Sequence, residues 1–215
     1  MSKSCAIIAG GASINKVGVN NLNQLNMAKI VCNKAILDVP SADYFITIDY
    51  TFTKKLGERK KDFDNWKRAK FFVANLHPEY MKKINGIYTD TRTNLKYDLS
   101  DFNVVVESHN KEEFGDTFTE FGNGYNSGFC AIQLALLLGY TQLYLFGFDF
   151  VATDSTHYHG GYGESVQSFQ RKLDTYYSTL KDAILQYKKY HPNVIFWSCS
   201  EISKLNEIIP IARKS

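Results

Sequence analysis

Short runs rich in β-branched, aromatic and other apolar residues recur along the chain at SCAIIAG, AKIVCN, YFITID, AKFFVAN, NVVVES, QLYLFGFD and NVIFWSC. Their apolar residues follow one another without alternation, which predicts strands covered on both faces. Between several of them lie patterns of helical period. The clearest runs from Glu164 to Tyr190, where Val166, Phe169, Leu173, Tyr176, Leu180, Ile184 and Tyr187 recur at steps of three and four and form one amphipathic face. A second helix, Phe129 to Leu138, is apolar nearly all round and so belongs in the middle of the molecule. Doubly covered strands separated by helices predict an α/β, Rossmann-like fold: a mainly parallel sheet of about six or seven strands with helices on both faces.

In such sheets ligands bind beyond the carboxyl ends of the strands, so the residue after each strand is the first candidate for chemistry. The first strand runs into Gly10-Gly11-Ala12-Ser13, whose glycines allow a tight turn and whose N–H groups favour phosphate. The string is GGAS and lacks the dinucleotide fingerprint GxGxxG, and a plain tight turn explains it equally well. The second strand ends at Asn33 and the third at Asp49, offering an amide and a carboxylate to a base, a ribose or a metal. Each is also an ordinary capping residue.

The stretch GNGYNSGFCAIQLALLLGY, residues 122–140, sets glycines and asparagines directly before the apolar helix. Asn126 or Ser127 serves as N-cap, and Gly128 permits close approach. A cap accounts for one polar residue and leaves the others unexplained, so the sharper reading is an anion cradle at the positive end of a helix dipole. Further on, Asp149 ends the strand QLYLFGFD, and His157 and His159 follow on a Gly-rich loop. With Asp149 and Asp154 near them in sequence, the two imidazoles are candidates for acid/base work near neutral pH or for a metal pair. The glycines of this segment predict a mobile lid over residues 150–165. Asp62-Phe63-Asp64 has the form of a DxD motif but lies in the charged run KKDFDNW, which reads as a solvated helical face.

Composition narrows the picture. The chain has 215 residues, 44% hydrophobic and 22% charged, with no linker-like stretch, and is read as a single nucleotide-binding domain over 1–215. Lys and Arg (25) exceed Asp and Glu (22) only slightly and are interleaved with them, which excludes a dedicated nucleic-acid stripe. The cysteines at 5, 32, 130 and 199 have no zinc spacing and sit among apolar residues, as thiols of a reducing compartment do. The apolar stretch in MSKSCAIIAGG is too short for a signal peptide and no run approaches a membrane span, which predicts a soluble cytoplasmic protein. The 14 Tyr and 15 Phe permit a homo-oligomer without requiring one.

Asn126-Ser127-Gly128, the apolar helix, Leu-Gly-Tyr, the strand LYLFGFDF and a His-containing loop resemble a known core. It is that of the 6-hydroxymethylpterin pyrophosphokinase-like proteins, of the motility accessory factors that glycosylate flagellin, and of the CMP-sialic acid sialyltransferases of glycosyltransferase family 42. AIIAGGAS, CNK and the terminal VIFWSCSEISKL extend the similarity to both ends of the chain, and it is specific over about residues 122–161. The resemblance to the sialyltransferases implies that Gly10 to Ser13, Asn33 and Ser127-Gly128 bind a cytidine nucleotide. That family's catalytic histidine ends the pattern Ser-His-Tyr-Ile-Gly-His. The chain reads Thr156-His157-Tyr158-His159-Gly160-Gly161, so His157 matches the earlier histidine and Gly161 stands at the catalytic position. The tyrosine that follows Asp-Phe in that family is Val151 here, and the longer lid that carries its second tyrosine is missing, with Tyr158 or Tyr162 as the substitute for that second one.

Three readings stay open from the sequence. One is a glycosyltransferase using a nucleotide-activated sugar such as a CMP-linked nonulosonate, with His157 or His159 as base and no obligatory metal or other cofactor. Another is transfer of diphosphate from ATP to a pterin-like alcohol, with Asp49 and Asp149 holding Mg²⁺. The third is a nucleotide-binding protein without catalysis. The acceptor is not specified by any of these residues.

Overall fold

The computed structural model describes residues 2–77, 79–108, 112–152, 157 and 165–212. Strand β1 (Ser4–Ile8) leads through α1 (Ile14–Val17) and α2 (Val19–Gln24) to β2 (Ala28–Cys32). Then come α3 (Ala35–Asp38), β3 (Tyr44–Thr47), a 3-10 turn, α4 (Lys60–Asn65) and β4 (Ala69–Asn75). Three short strands follow, β5 (Met81–Ile84), β6 (Ile87–Asp90) and β7 (Leu95–Tyr97), and then β8 (Val104–Ser108). The chain continues as α5 (Ser127–Leu137), β9 (Gln142–Phe146), α6 (Val166–Tyr190) and β10 (Ile195–Ser198).

The main sheet has seven strands in the order β10-β9-β1-β2-β3-β4-β8, and every pairing is parallel. This is a Rossmann-like α/β fold, and each of the apolar runs singled out in the sequence supplies one strand. Cys5 and Ile7 face the core formed with α5 and α6, while Ala6 and Ile8 face the core on the opposite side with Phe45, Phe52 and Phe63. The period of two explains why β1 shows no polar alternation: both of its faces are buried.

α5 is buried along most of its length, as an all-round apolar helix must be. Its one polar interior residue, Gln133, is fully buried and hydrogen-bonded at both ends of its amide. Oε1 accepts the Gly122 N–H at 2.9 Å and Nε2 donates to the Gly115 carbonyl at 3.3 Å. α6 is capped by Ser165, whose hydroxyl accepts the Ser168 N–H at 3.2 Å, and it ends at His191, before Pro192. Phe169, Leu180 and Ile184 point inward as the periodicity predicts, whereas Val166 is exposed in the first turn.

The sheet β5-β6-β7 is antiparallel and was not anticipated. Its strands are three or four residues long; β5 and β7 are mostly exposed and the buried residues of β6 include the polar Thr89 and Asp90, so none carries an apolar run. The available signal was Asn85-Gly86, both at positive φ (49° and 81°), the dipeptide that closes a two-residue hairpin. Tyr88 and Tyr97 of this sheet pack with Tyr50 and Phe72 beside the main sheet.

Among the described residues, no helix is long and apolar enough to cross a membrane.

The Gln133 amide gives the first prediction. Gln133→Leu keeps the volume but strands the buried Gly122 N–H, at a cost of about 1–3 kcal/mol. Thermal unfolding is expected to shift down by roughly 2–10 °C; an unchanged midpoint would show that the bond contributes nothing.

Candidate functional site: a cleft at the sheet's switch point

The strand order reverses at β1. From there the chain builds β2, β3, β4 and β8 to one side, then returns to place β9 and β10 on the other. The loops leaving β1 and β9 therefore diverge and open a crevice between them. At its base the two backbones are in contact: Ala9 N–H donates to the Phe146 carbonyl at 2.9 Å and Gly11 N–H to the Gly147 carbonyl at 3.0 Å. A Cβ on Gly11 would lie 2.5 Å from both Asp149 Oδ2 and the Gly147 carbonyl oxygen, which is why the position carries none.

Asp149 ties these loops together. Its carboxylate is only 2% exposed, and Oδ2 accepts the Ser13 N–H at 2.8 Å. Oδ1 is buried and has no partner among the described residues. A buried acceptor in that state marks a place where a donor from a ligand or water belongs. The surrounding backbone is braced from behind, with Ser203 Oγ donating to the Phe148 carbonyl at 2.5 Å and Lys204 N–H to the Asp149 carbonyl at 3.1 Å.

The opposite wall is a chain of oriented hydroxyls. Thr47 Oγ1 accepts the Asp49 N–H at 3.1 Å, and Ser127 Oγ accepts the Ile48 N–H at 3.2 Å. Each hydroxyl gives its proton to Asn33 Oδ1, at 2.8 and 3.0 Å respectively. With its oxygen held twice, the Asn33 amide presents Nδ2 as a donor at the cleft wall. Asn33 itself sits at φ 53°, a left-handed conformation that asparagine tolerates better than most residues. Asn126 caps α5 through Oδ1, which accepts the Phe129 N–H at 2.8 Å. The Ser127 and Gly128 amides in the first turn have no intrahelical acceptor, and both residues line the cleft.

A third wall is apolar and aromatic. Phe148, Phe150, Phe169, Leu173 and Tyr176 line it, and the His157 ring lies 4.7 Å from that of Phe169, centroid to centroid. Cys32 lies at the edge, its thiol donating to the Ile8 carbonyl at 3.3 Å, and burial pushes its pKa up to about 12, so it is no nucleophile at neutral pH. The cleft between the walls holds a cavity of about 150 Å³ that opens to solvent at its mouth. None of the described lining residues is a lysine or an arginine.

Gly10, Gly11, Asn33, Asn126, Ser127, Gly128, Asp149 and His157, chosen from the sequence, thus line one cleft. Ala12, Ser13 and Asp49 do not. The Ser13 N–H is engaged by Asp149, and both Asp49 oxygens are engaged locally. Asp49 Oδ1 accepts from the Thr51 N–H at 2.9 Å and the Thr51 hydroxyl at 2.7 Å, while Oδ2 pairs with Lys55 Nζ at 2.6 Å. That is the arrangement of a turn cap. Asp154, Tyr158, His159 and Tyr162, and most of the lid expected over 150–165, lie outside the described residues. Among the described residues no three His, Cys, Asp or Glu side chains cluster as a metal site would require. Asp62 and Asp64 are exposed on α4 and pair with Arg59 and Lys60. Sequence reasoning missed Thr47 and the apolar wall; Thr47 was visible as a lone hydroxyl ending the apolar run YFIT.

No family model matches the chain, and no curated protein does. Solved structures do. The MAf glycosyltransferase from Magnetospirillum magneticum AMB-1 is 18% identical at a TM-score of 0.51, over 97% of this chain. This chain spans only 33% of that protein's length. The sialyltransferase CstII from Campylobacter jejuni, in complex with the substrate analogue CMP-3FNeuAc, is 14% identical at a TM-score of 0.58. That match covers 99% of this chain and 87% of CstII. A variant of the same sialyltransferase in complex with CMP gives a TM-score of 0.55 at 14% identity, with the same coverage of both chains. At these identities what is shared is the fold: that of the sialyltransferase and MAf glycosyltransferase structures.

The Gly11 contact is testable without a ligand. Gly11→Ala forces a methyl between Asp149 and the Gly147 carbonyl, which overpacking places at a cost of about 1–3 kcal/mol. Urea denaturation is expected to show that loss; wild-type stability would mean that the two loops separate freely.

Proposed function

We propose that the chain is a glycosyltransferase that uses a nucleotide-activated sugar, with a CMP-linked nonulosonate as the favoured donor class. The observation that carries this reading is the character of the cleft's donors. They are the Asn33 amide and the first backbone N–H groups of α5, with no lysine or arginine among the described lining residues. Neutral donors at a helix N-terminus suit the single charge of a phosphodiester such as CMP-sugar. The clustered charge of a diphosphate or triphosphate calls for cationic side chains or Mg²⁺. The fold shared with a sialyltransferase whose structure holds a CMP-sugar analogue supports the same choice.

In this reading the phosphate lies at Ser127 and Gly128, and Asp149 Oδ1 accepts a hydroxyl or amino proton of the nucleoside. His157 takes the proton of the acceptor hydroxyl as that oxygen attacks the anomeric carbon. The bond from carbon to phosphate oxygen breaks, its electron pair leaves with the nucleotide, and the α5 amides stabilise the departing anion. His159 is the neighbouring candidate for the same proton. The Asp49 and Asp149 carboxylates on which a Mg²⁺-dependent diphosphate transfer would depend are held apart in role, Asp49 by Thr51 and Lys55 and Asp149 by Ser13.

A thermal-shift panel of CMP, CDP, UDP, GDP, ADP and ATP, with and without Mg²⁺, tests the donor class, since a ligand of the folded state raises its melting temperature. CMP is expected to give the largest shift, independent of Mg²⁺; preference for ATP with Mg²⁺ would favour diphosphate transfer, and no response would end the nucleotide reading. Asn33→Asp replaces the wall's amide donor by an anion, and calorimetry is expected to show CMP affinity reduced at least ~10-fold, about 1.4 kcal/mol.

His157→Ala is expected to lower turnover by about 10²–10⁴-fold while CMP binding persists. Full turnover in both His157→Ala and His159→Ala would remove the histidine base from the mechanism.

A further inference from the structure

The segment that leaves β9 is held in a conformation its own sequence does not favour. Phe150 lies at φ 55°, a left-handed conformation uncommon for a bulky residue, between Asp149 and Val151 on the cleft wall. Such an outlier persists only where its surroundings over-determine it. Part of the constraint is packing, since the Phe150 ring is buried against Phe148 and Tyr177, at 6.3 and 5.8 Å between centroids.

The rest comes from one side chain of α6. Gln170 Oε1 accepts the Ala152 N–H at 2.7 Å, and Nε2 donates to the Phe150 carbonyl at 3.3 Å. Its amide thus clamps the backbone on both sides of Val151. The same Nε2 donates to Asp174 Oδ1 at 2.8 Å, and Asp174 Oδ1 pairs with Lys204 Nζ at 2.7 Å. Lys204 in turn donates its backbone N–H to the Asp149 carbonyl at 3.1 Å. A closed circuit therefore runs from Asp149 through Lys204, Asp174 and Gln170 back to the backbone just beyond Asp149.

We infer that Gln170 is a positioning residue of the cleft: with Asp174 and Lys204 it locks the left-handed turn at Phe150, and so fixes where Asp149 and Val151 stand against the bound nucleotide. Gln170 does not itself line the cleft. The adjacent Phe169 and, about a turn further on, Leu173 do line it, so α6 forms one wall of the cleft and anchors the neighbouring wall as well. The inference rests on the nucleotide reading for its effect on binding, and on geometry alone for the clamp.

The test has a ligand-free and a ligand-bound arm. In the ligand-free arm, hydrogen exchange of the Ala152 amide is followed by NMR in wild type and Gln170→Ala. The variant is expected to exchange at least ~10-fold faster at Ala152, with Leu180 in α6 and Leu145 in β9 unchanged; equal exchange at Ala152 would overturn the clamp. In the ligand-bound arm, CMP affinity is measured for wild type, Gln170→Ala, Gln170→Glu and the double variant Gln170→Glu/Asp174→Asn. A glutamate keeps the acceptor for Ala152 but sets a carboxylate against Asp174. Affinity is expected to fall at least ~5-fold in both single variants; the asparagine, which can donate to the new carboxylate, relieves only the repulsion at position 174 and restores part of the loss, because the donor to the Phe150 carbonyl stays missing. Wild-type affinity in either single variant would overturn the positioning role. If wild type takes up no nucleotide, the proposed function fails, and the exchange at Ala152 still decides the clamp.

Discussion

The hydrogen bond from the Ser13 N–H to Asp149 Oδ2 joins the two loops that leave the sheet where its strand order reverses. A parallel sheet puts its loops on one rim and opens a crevice at the reversal as a matter of topology. Topology alone would leave that crevice floored by mobile backbone. Here a buried carboxylate lies against a residue without a side chain, so the floor is closed without filling the space above it. The other walls are referred to this floor: Lys204 and Ser203 hold its far side, and α5 enters beside it.

Recognition in the cleft works through aimed dipoles. The Thr47 and Ser127 hydroxyls are each fixed by a backbone N–H before they reach Asn33, so the orientation of one amide is set by the ends of β3 and α5 together. A donor held in this way needs no reorganisation when a ligand arrives, which is what makes a neutral group effective against an anion. Because it carries no charge, it also exerts little long-range pull. Selection then depends on how the ligand's oxygens meet a few fixed positions, and the aromatic wall of Phe150, Phe169 and Tyr176 supplies contact area without further charge.

The strands and the cleft residues were legible in the sequence for different reasons. Doubly buried strands such as AIIAG and IVCN reveal themselves by uninterrupted apolar residues, because burial on both faces leaves no position for a polar one. The cleft residues were found through topology, by looking at the few residues that follow each strand, which led to Gly10, Asn33 and Asp149. The same rule pointed to Asp49, whose strand does end at the rim but whose side chain turns back to Thr51 and Lys55. Direction of a side chain at a strand end depends on local turn chemistry that spacing does not encode. Thr47, Gln133 and Gln170 were missed because each reaches groups distant in sequence, Thr47 the Asn33 amide, Gln133 the Gly122 and Gly115 backbone, and Gln170 the Phe150 and Ala152 backbone. The hairpin sheet was missed because its outer strands are mostly exposed and its central strand buries Thr89 and Asp90 beside Tyr88, which leaves little hydrophobic signal.

The central position of β1 has a consequence for synthesis. β1 pairs with β2 on one edge, close in sequence, but on the other it pairs with β9, Ser4 opposite Gln142. While the chain is being made, β1, β2, β3, β4 and β8 all precede the strand that covers that edge. An apolar strand with open hydrogen-bonding groups is then exposed to other nascent chains for most of translation. Closing the sheet is a contact between distant parts of the sequence, which is slow to form. The strand order that creates the cleft is thus also the one that lengthens the time during which β1 lacks its partner on one edge.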